Sequence, residues 1–135
     1  MSNAPLPPPD LVLYIDETFP WRIADEVLKR GRPATSHKHL NLSGTKDPDL
    51  FPVLAAQPDP VVLVTYDNAM PLVHADDLKE HDITLAVVDK EGVPPNLTVE
   101  QYWRDVIHRF AHQMGEQVKA TWWKYRATTR RRIFP

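Results

Sequence analysis

The chain has 135 residues, 42% of them hydrophobic and 25% charged, with a formal net charge of −2, an ordinary composition for one globular domain with a real core. It contains no cysteine, which excludes disulfides, thiolate metal sites and a thiol nucleophile. No stretch reaches the ~18 apolar residues of a membrane span, and the N-terminus lacks the basic-then-apolar pattern of a signal peptide, so the expected location is the cytoplasm.

Residues 1–10 hold four of the 14 prolines and read as a disordered arm. Residues 11–15, Leu-Val-Leu-Tyr-Ile, form an unbroken apolar run that ends in Asp16-Glu17. Such a run, bounded by polar residues, reads as a strand buried on both faces of a parallel sheet. Thr18-Phe19-Pro20 then opens a helix, with Thr18 as its cap. Ile23, Ala24, Val27 and Leu28 give that helix an apolar face, and Gly31 stops it. A weaker strand is expected over residues 34–37.

Asp47-Pro48 looks like a helix cap followed by proline in the first turn, although Pro52 removes a bond farther on and moves the expected start toward Phe51. Val61-Val62-Leu63-Val64-Thr65 is a third strand, followed closely by Asp67. Residues 69–80 are expected to be partly helical, and residues 83–88 are a fourth strand ending at Asp89. Thr98-Val-Glu-Gln101 is a capping box. After it, Val99, Tyr102, Trp103, Val106, Ile107, Phe110, Met114, Val118, Trp122 and Tyr125 recur at helical spacing. This stripe predicts one long C-terminal helix over 98–127, whose aromatic face is core or partner interface.

Alternating strands and helices imply an α/β protein, a three-layer α/β/α sandwich with a mostly parallel four-stranded sheet plus the long C-terminal helix. The domain spans 11–127, and 128–135 is a basic tail. Right-handed crossovers place strand 1 centrally, between strands 2 and 3. Open parallel sheets carry their chemistry at the carboxyl ends of such strands. Asp16 and Asp67 are therefore expected to face each other across one crevice.

The charge is unevenly distributed. Every acid lies at or before Glu116, whereas Lys119, Lys124, Arg126, Arg130, Arg131 and Arg132 follow it with no acid among them. A basic tail on an acidic body suits nucleic acid or an acidic partner, and equally a frayed, solvated terminus. Asp16, Glu17, Asp47, Asp49, Asp67 and Asp89 are the candidate site acids. Carboxylates sharing a site repel one another, and a hard divalent cation removes the conflict. Singly, each of these residues also suits a turn or a helix cap.

Leu13-Tyr14-Ile15-Asp16-Glu17-Thr18-Phe19-Pro20 resembles the opening element of PIN-like domains. Leu42-Ser43-Gly44-Thr45-Lys46-Asp47-Pro48-Asp49-Leu50 resembles their second acidic element, and Val62-Leu63-Val64-Thr65-Tyr66-Asp67 their third. The resemblance runs from Leu11 to Asp89 and points to the VapC-like toxin group. It implies a metal-dependent endoribonuclease, the toxin of a toxin–antitoxin pair, in which Asp16, Asp47 and Asp67 hold Mg²⁺ or Mn²⁺ with Glu17 beside them. Asp49 can replace Asp47, Asn68 stands where many members carry a further acid, and Asp89 is an outer ligand. Lys46, Arg22, Lys124, Arg126 and Arg130 are the expected RNA phosphate contacts. The implied partners are RNA, a cognate antitoxin and a second copy of the chain, with no membrane.

Other signals are weaker. His108 and His112 are four residues apart, but Arg109 replaces the glutamate of a helical zinc motif, so a solvated helix flank is the better reading. His37 and His39 read as structural or exposed. Ser43-Gly-Thr-Lys46 matches a Ser-x-x-Lys pattern without its supporting motifs. With four glycines, at 31, 44, 92 and 115, there is no phosphate-binding loop. Two rival functions are a receiver-type domain, with Asp67 as phosphoacceptor, and a catalytically silent PIN-like binding module.

Overall fold

The computed structural model describes residues 10–135. The expected proline-rich arm therefore lies, except for Asp10, outside the described residues; Asp10 itself pairs with Arg32. In chain order the elements are β1 (Val12–Ile15), α1 (Arg22–Lys29), β2 (Ala34–Ser36), α2 (Asp47–Ala55), β3 (Val61–Thr65), α3 (Met70–Val73), α4 (Ala75–Glu80), β4 (Thr84–Val88), a 3-10 turn (Lys90–Gly92), α5 (Val99–Gly115), β5 (Trp122–Tyr125) and β6 (Arg130–Phe134).

The strands form one six-stranded sheet in the order β2-β1-β3-β4-β5-β6. All neighbours are parallel except β5 and β6. β1 lies between β2 and β3 as expected, so the crossover direction reverses at β1 and the carboxyl ends of β1 and β3 bound the switch point. Side chains alternate between two cores because successive strand residues face opposite sides. Leu13, Ile15, Val62, Val64, Ala86 and Val88 pack with α1 and α5. Tyr14, Leu63, Leu85 and Val87 pack on the other face with Leu50, Phe51, Leu54, Met70 and Leu78 of α2, α3 and α4. Full burial of each such aliphatic side chain is worth about 1.5–3 kcal/mol.

Four expectations about the sheet and the C-terminal third of the chain change. The sheet has six strands, not four. The C-terminal helix ends at Gly115 rather than running to residue 127. The apparent periodicity continues only by coincidence: Val118 is 70% exposed, and Trp122 and Tyr125 belong to a strand. Trp-Trp-Lys-Tyr is strong strand sequence, and β5 pairs with β4 from Leu85↔Trp122 to Val88↔Tyr125. Trp122 Nε1–H also donates to the Ile83 carbonyl at 3.1 Å. Third, the arginine-rich terminus is no frayed tail; Arg130–Phe134 pairs antiparallel with β5 and closes that edge of the sheet. Fourth, the aromatic residues of the stripe do not share one helix face; they divide between α5 and β5 and pack on the two cores. Trp103 packs edge-on against Phe19 and Tyr66, and Trp122 packs against Phe134 with the rings tilted by 41°.

The capping box of α5 is present in both directions, Gln101 N–H to Thr98 Oγ1 and Thr98 N–H to Gln101 Oε1. Thr18 does not cap α1, whose N-cap is Trp21. α2 begins at Asp47, with Lys46 as its N-cap and Pro52 accommodated inside it. None of the helices among the described residues is long and apolar enough to cross a membrane.

Candidate active site

The crevice begins with Asp16, the residue after β1. Its backbone N–H continues the pairing with β3 by donating to Val64 O at 3.0 Å. That register buries the side chain, which is 6% exposed. Two hydroxyls compensate: Thr65 Oγ1 donates to Asp16 Oδ2 at 2.9 Å and Thr18 Oγ1 donates to the same oxygen at 3.1 Å. Burial nevertheless dominates and raises the Asp16 pKa, with the Glu17 charge adding to it and the two hydroxyls opposing it. Thr18 thus serves Asp16 rather than a helix; its Oγ1 also accepts from Tyr66 N–H at 3.1 Å.

Asp67 is placed by the other side of the same threonine. Its N–H donates to Thr65 Oγ1 at 3.1 Å, and its Oδ1 accepts from Ala69 N–H at 3.0 Å in an Asx turn. Asp47, the first residue of α2, is half-buried. Its pKa is raised by burial first, then by the charges of Asp16, Asp67 and Glu17, against the opposing influence of His74. The charges of the acids after β1 and β3 therefore both act on Asp47 of α2. Glu17 is exposed, and its Oε1 accepts from Gly44 N–H at 2.8 Å. That contact ties the loop after β1 to the loop before α2, where Gly44 adopts φ +82°.

Among the described residues, no lysine or arginine forms an ion pair with Asp16, Glu17, Asp47 or Asp67. The partner of Asp47 is His74, whose Nε2 lies 3.6 Å from Oδ2. His74 stands between α3 and α4, with its ring edge-on to Phe51. No sequence motif marks it; only the packing of α2 against α4 brings it to the site. As the side chains stand, no three Asp, Glu or His groups among the described residues converge closely enough to enclose an ion.

The remaining candidates separate. Asp49 is exposed on the first turn of α2, whereas Asp47 is half-buried and is the member of that pair under the charges of Asp16, Asp67 and Glu17. Asn68 is a structural bridge: its Nδ2 donates to the carbonyls of Tyr66 and Val88, at 2.9 and 3.0 Å, while its Oδ1 accepts from Lys90 N–H. Asp89 is buried and fully engaged. Its carboxylate accepts from Glu91 N–H at 3.1 Å and from Arg126 Nε at 2.7 Å. Burial alone would raise its pKa, but these bonds and the Lys124 and Arg126 charges outweigh it and hold Asp89 below the ordinary aspartate range. Every side-chain oxygen of Asn68 and Asp89 already accepts a hydrogen bond.

Arg22 begins α1 and Lys46 caps α2, both exposed. Lys124, Arg126 and Arg130, together with Arg131, line a cavity of about 340 Å³ at the carboxyl ends of β4 and β5. A cavity of about 580 Å³ at the opposite edge, near Leu11, Pro60 and Thr84, contains none of the candidate acids of the crevice. His108 is not on the solvated flank expected for it, its side chain being 8% exposed; it and Arg104 both bond Glu26, at 3.1 Å, clamping α5 to α1. His112 pairs with Glu116. A Ser36–His39–Asp25 chain, with Ser36 Oγ 2.5 Å from His39 Nδ1 and His39 Nε2 3.0 Å from Asp25 Oδ1, has the order of a nucleophilic triad. Ser36 is 0% exposed, so the chain holds the loop after β2 and presents no nucleophile.

Comparison with protein-family models, with curated proteins and with solved structures finds no match.

Proposed function

We propose that the crevice at the carboxyl ends of β1 and β3 is the centre of a metal-dependent endoribonuclease. The observation that carries this reading is the pair of destabilised carboxylates, Asp16 beside Glu17 and Asp47 under the charges of Asp16, Asp67 and Glu17. Both are pushed toward protonation, by burial first and by neighbouring carboxylates, and no lysine or arginine among the described residues neutralises them. An all-oxygen donor set with excess negative charge suits Mg²⁺ or Mn²⁺. The side chains do not yet enclose an ion, so binding requires Asp47 and Asp67 to turn inward from their half-buried positions.

Asp16, Asp47 and Asp67 would hold the cation, with Glu17 at the rim. A cation there supplies Lewis-acid stabilisation of phosphodiester charge and a water of lowered pKa. The protein's own part is positional. Thr65 and Thr18 orient one oxygen of Asp16 and leave the other for a ligand. Glu17 fixes the loop that delivers α2. His74 places Nε2 3.6 Å from Asp47 Oδ2, an imidazole at the site that sequence reading did not single out.

The fuller reading is the toxin of a toxin–antitoxin pair acting in the cytoplasm, with RNA as substrate and an antitoxin as partner. It rests on the PIN-like resemblance of residues 11–89. Exposed Leu72 and Val73 on α3, 83% and 70% exposed, are apolar surface that such a partner would cover. RNA cleavage with Mn²⁺ or Mg²⁺ tests the activity. Asp16→Asn and Asp67→Asn are expected to abolish it; retained cleavage in either variant overturns the assignment. Growth arrest on expression, relieved by a neighbouring gene's product, tests the toxin role.

One observation favours a second reading. The sheet has a fifth parallel strand, and the order β2-β1-β3-β4-β5 is that of flavodoxin-like doubly wound sheets, to which receiver-type domains belong. Asp67 would then accept a phosphoryl group and Asp16 and Glu17 would hold Mg²⁺. This reading leaves Asp47 without a role and does not explain the antiparallel β6. Phosphorylation of Asp67 by a small phosphodonor, without RNA cleavage, would establish it. Absence of Mn²⁺ binding by calorimetry would favour the silent binding module.

A further inference from the structure

The acidic crevice has a cationic feature on each side along the same edge of the sheet. Because β1 to β5 are parallel, the loops that follow them all open on one edge. β6 runs antiparallel, so its first residues, Arg130 and Arg131, open there too.

On the β2 side stands Trp21, half-exposed at the start of α1. Lys38 Nζ lies 3.9 Å over its ring and Arg22 Cζ lies 5.4 Å from its centroid. His39 meets the ring edge-on at 5.8 Å. Lys38 and His39 come from the loop after β2, held by the buried Ser36. The indole is thus supported from two segments and surrounded by cations without being buried.

On the β4 side is the cavity lined by Lys124, Arg126, Thr129, Arg130, Arg131 and Asp89. Of its four cations, only Arg126 has a carboxylate partner among the described residues, Asp89. Arg130 is braced on Trp123, with Cζ 4.8 Å from the ring. Lys124 and Arg131 are direct cross-strand neighbours. Like charges held this closely repel, and an anion with several oxygens relieves the repulsion. Guanidinium groups bind phosphate in this way, through paired N–H donors.

We infer that this edge is a track for single-stranded RNA, with a base stacked at Trp21, a backbone phosphate in the Lys124–Arg126–Arg131 cavity and the scissile phosphate between them. RNA as the occupant rests on the proposed nuclease reading; the track rests on the two cationic features. An indole face accepts only an unpaired base, which excludes duplex at that end. Four strand spacings separate β1 from β6, roughly 19 Å at ~4.8 Å each. That distance corresponds to about six nucleotides at the ~3.4 Å spacing of a stacked strand. Asp89 is a positioning residue here, holding Arg126 over the cavity.

The test is binding without catalysis: fluorescence anisotropy of labelled oligouridylates of increasing length, in EDTA. Affinity is expected to rise with length and level off at about six nucleotides. Trp21→Ala is expected to weaken binding about tenfold with little change in salt dependence. Arg131→Ala and Lys38→Glu, both at exposed positions that leave the core untouched, are expected to weaken it and to flatten the salt dependence, by about one unit of slope for the arginine. Affinity independent of length, variants within twofold of wild type, or equal binding of duplex RNA would each overturn the track, as would tighter binding of DNA of the same length. Length-dependent binding with no cleavage in Mn²⁺ would overturn the nuclease reading and leave the track standing; cleavage with a failed anisotropy series would do the reverse.

Discussion

The Thr65 hydroxyl donates to Asp16 Oδ2 at 2.9 Å while accepting from the N–H of Asp67 at 3.1 Å. One side chain at the end of β3 therefore sets both acids of the switch point. Burial of Asp16 is tolerable because its oxygen keeps two donors where water is excluded.

Thr65→Val preserves shape and removes both bonds. Stability is expected to fall by about 1–3 kcal/mol, since buried polar groups lose their partners. The Asp16 pKa is expected to rise further. If cleavage needs ionised Asp16, the acid limb of the rate profile moves to higher pH in this variant. Denaturant unfolding and a pH series of cleavage rates measure both; an unmoved acid limb would mean that Asp16 does not govern it.

Asp16 and Asp47 have folded pKa values above those of the unfolded chain. Their contribution to stability is therefore fully present at pH below the ordinary aspartate range and is lost as pH rises through the raised values. A divalent cation reverses the preference by favouring the ionised forms. Binding of Mn²⁺ is thus expected to release protons and to weaken as pH falls through the raised values. Calorimetry in buffers of different ionisation enthalpy reads the proton count. Asp16→Asn is expected to stabilise the cation-free protein while weakening Mn²⁺ binding. Glu26 and Asp89 have the opposite sign. Glu26 is held low against its own burial by His108 and Arg104, and Asp89 by Glu91 N–H and Arg126. The stability they supply is lost on acidification through those lowered values.

Asn68→Asp adds a carboxylate next to Asp67, and it is expected to destabilise. The Asn68 amide donates to two carbonyls, Tyr66 O and Val88 O, and a carboxylate has no hydrogen to give either. The expected loss is about 1–3 kcal/mol, from leaving those acceptors unpaired beside a new negative charge. A variant as stable as wild type in urea, with tighter Mn²⁺ binding, would show that position 68 is a ligand position.

Deletion of residues 119–135 is expected to abolish cooperative unfolding rather than to produce a soluble core with altered association. It removes β5 and β6 and exposes the edge of β4. Trp122 and Tyr125, 4% and 0% exposed, leave the two cores at once. A truncated chain with a sharp urea transition would contradict this role for the terminus. Substituting exposed Leu72 and Val73 on α3 is the milder probe of partner association.

Local sequence determined β1, β3 and β4, because apolar runs of this length bury themselves on both faces of a parallel sheet. It determined the start of α5 through reciprocal capping by Thr98 and Gln101, and it placed Asp16 and Asp67 at neighbouring strand ends. Tertiary structure decided the rest. The end of α5 was illegible because Met114, Val118, Trp122 and Tyr125 keep helical spacing by chance, and only pairing with β4 makes the last two a strand. His74 reaches Asp47, Arg126 neutralises Asp89, and Trp21 meets Lys38 through contacts between segments far apart in the chain. A side chain's charge state and accessibility depend on what packs around it, and spacing along one strand or helix does not encode that.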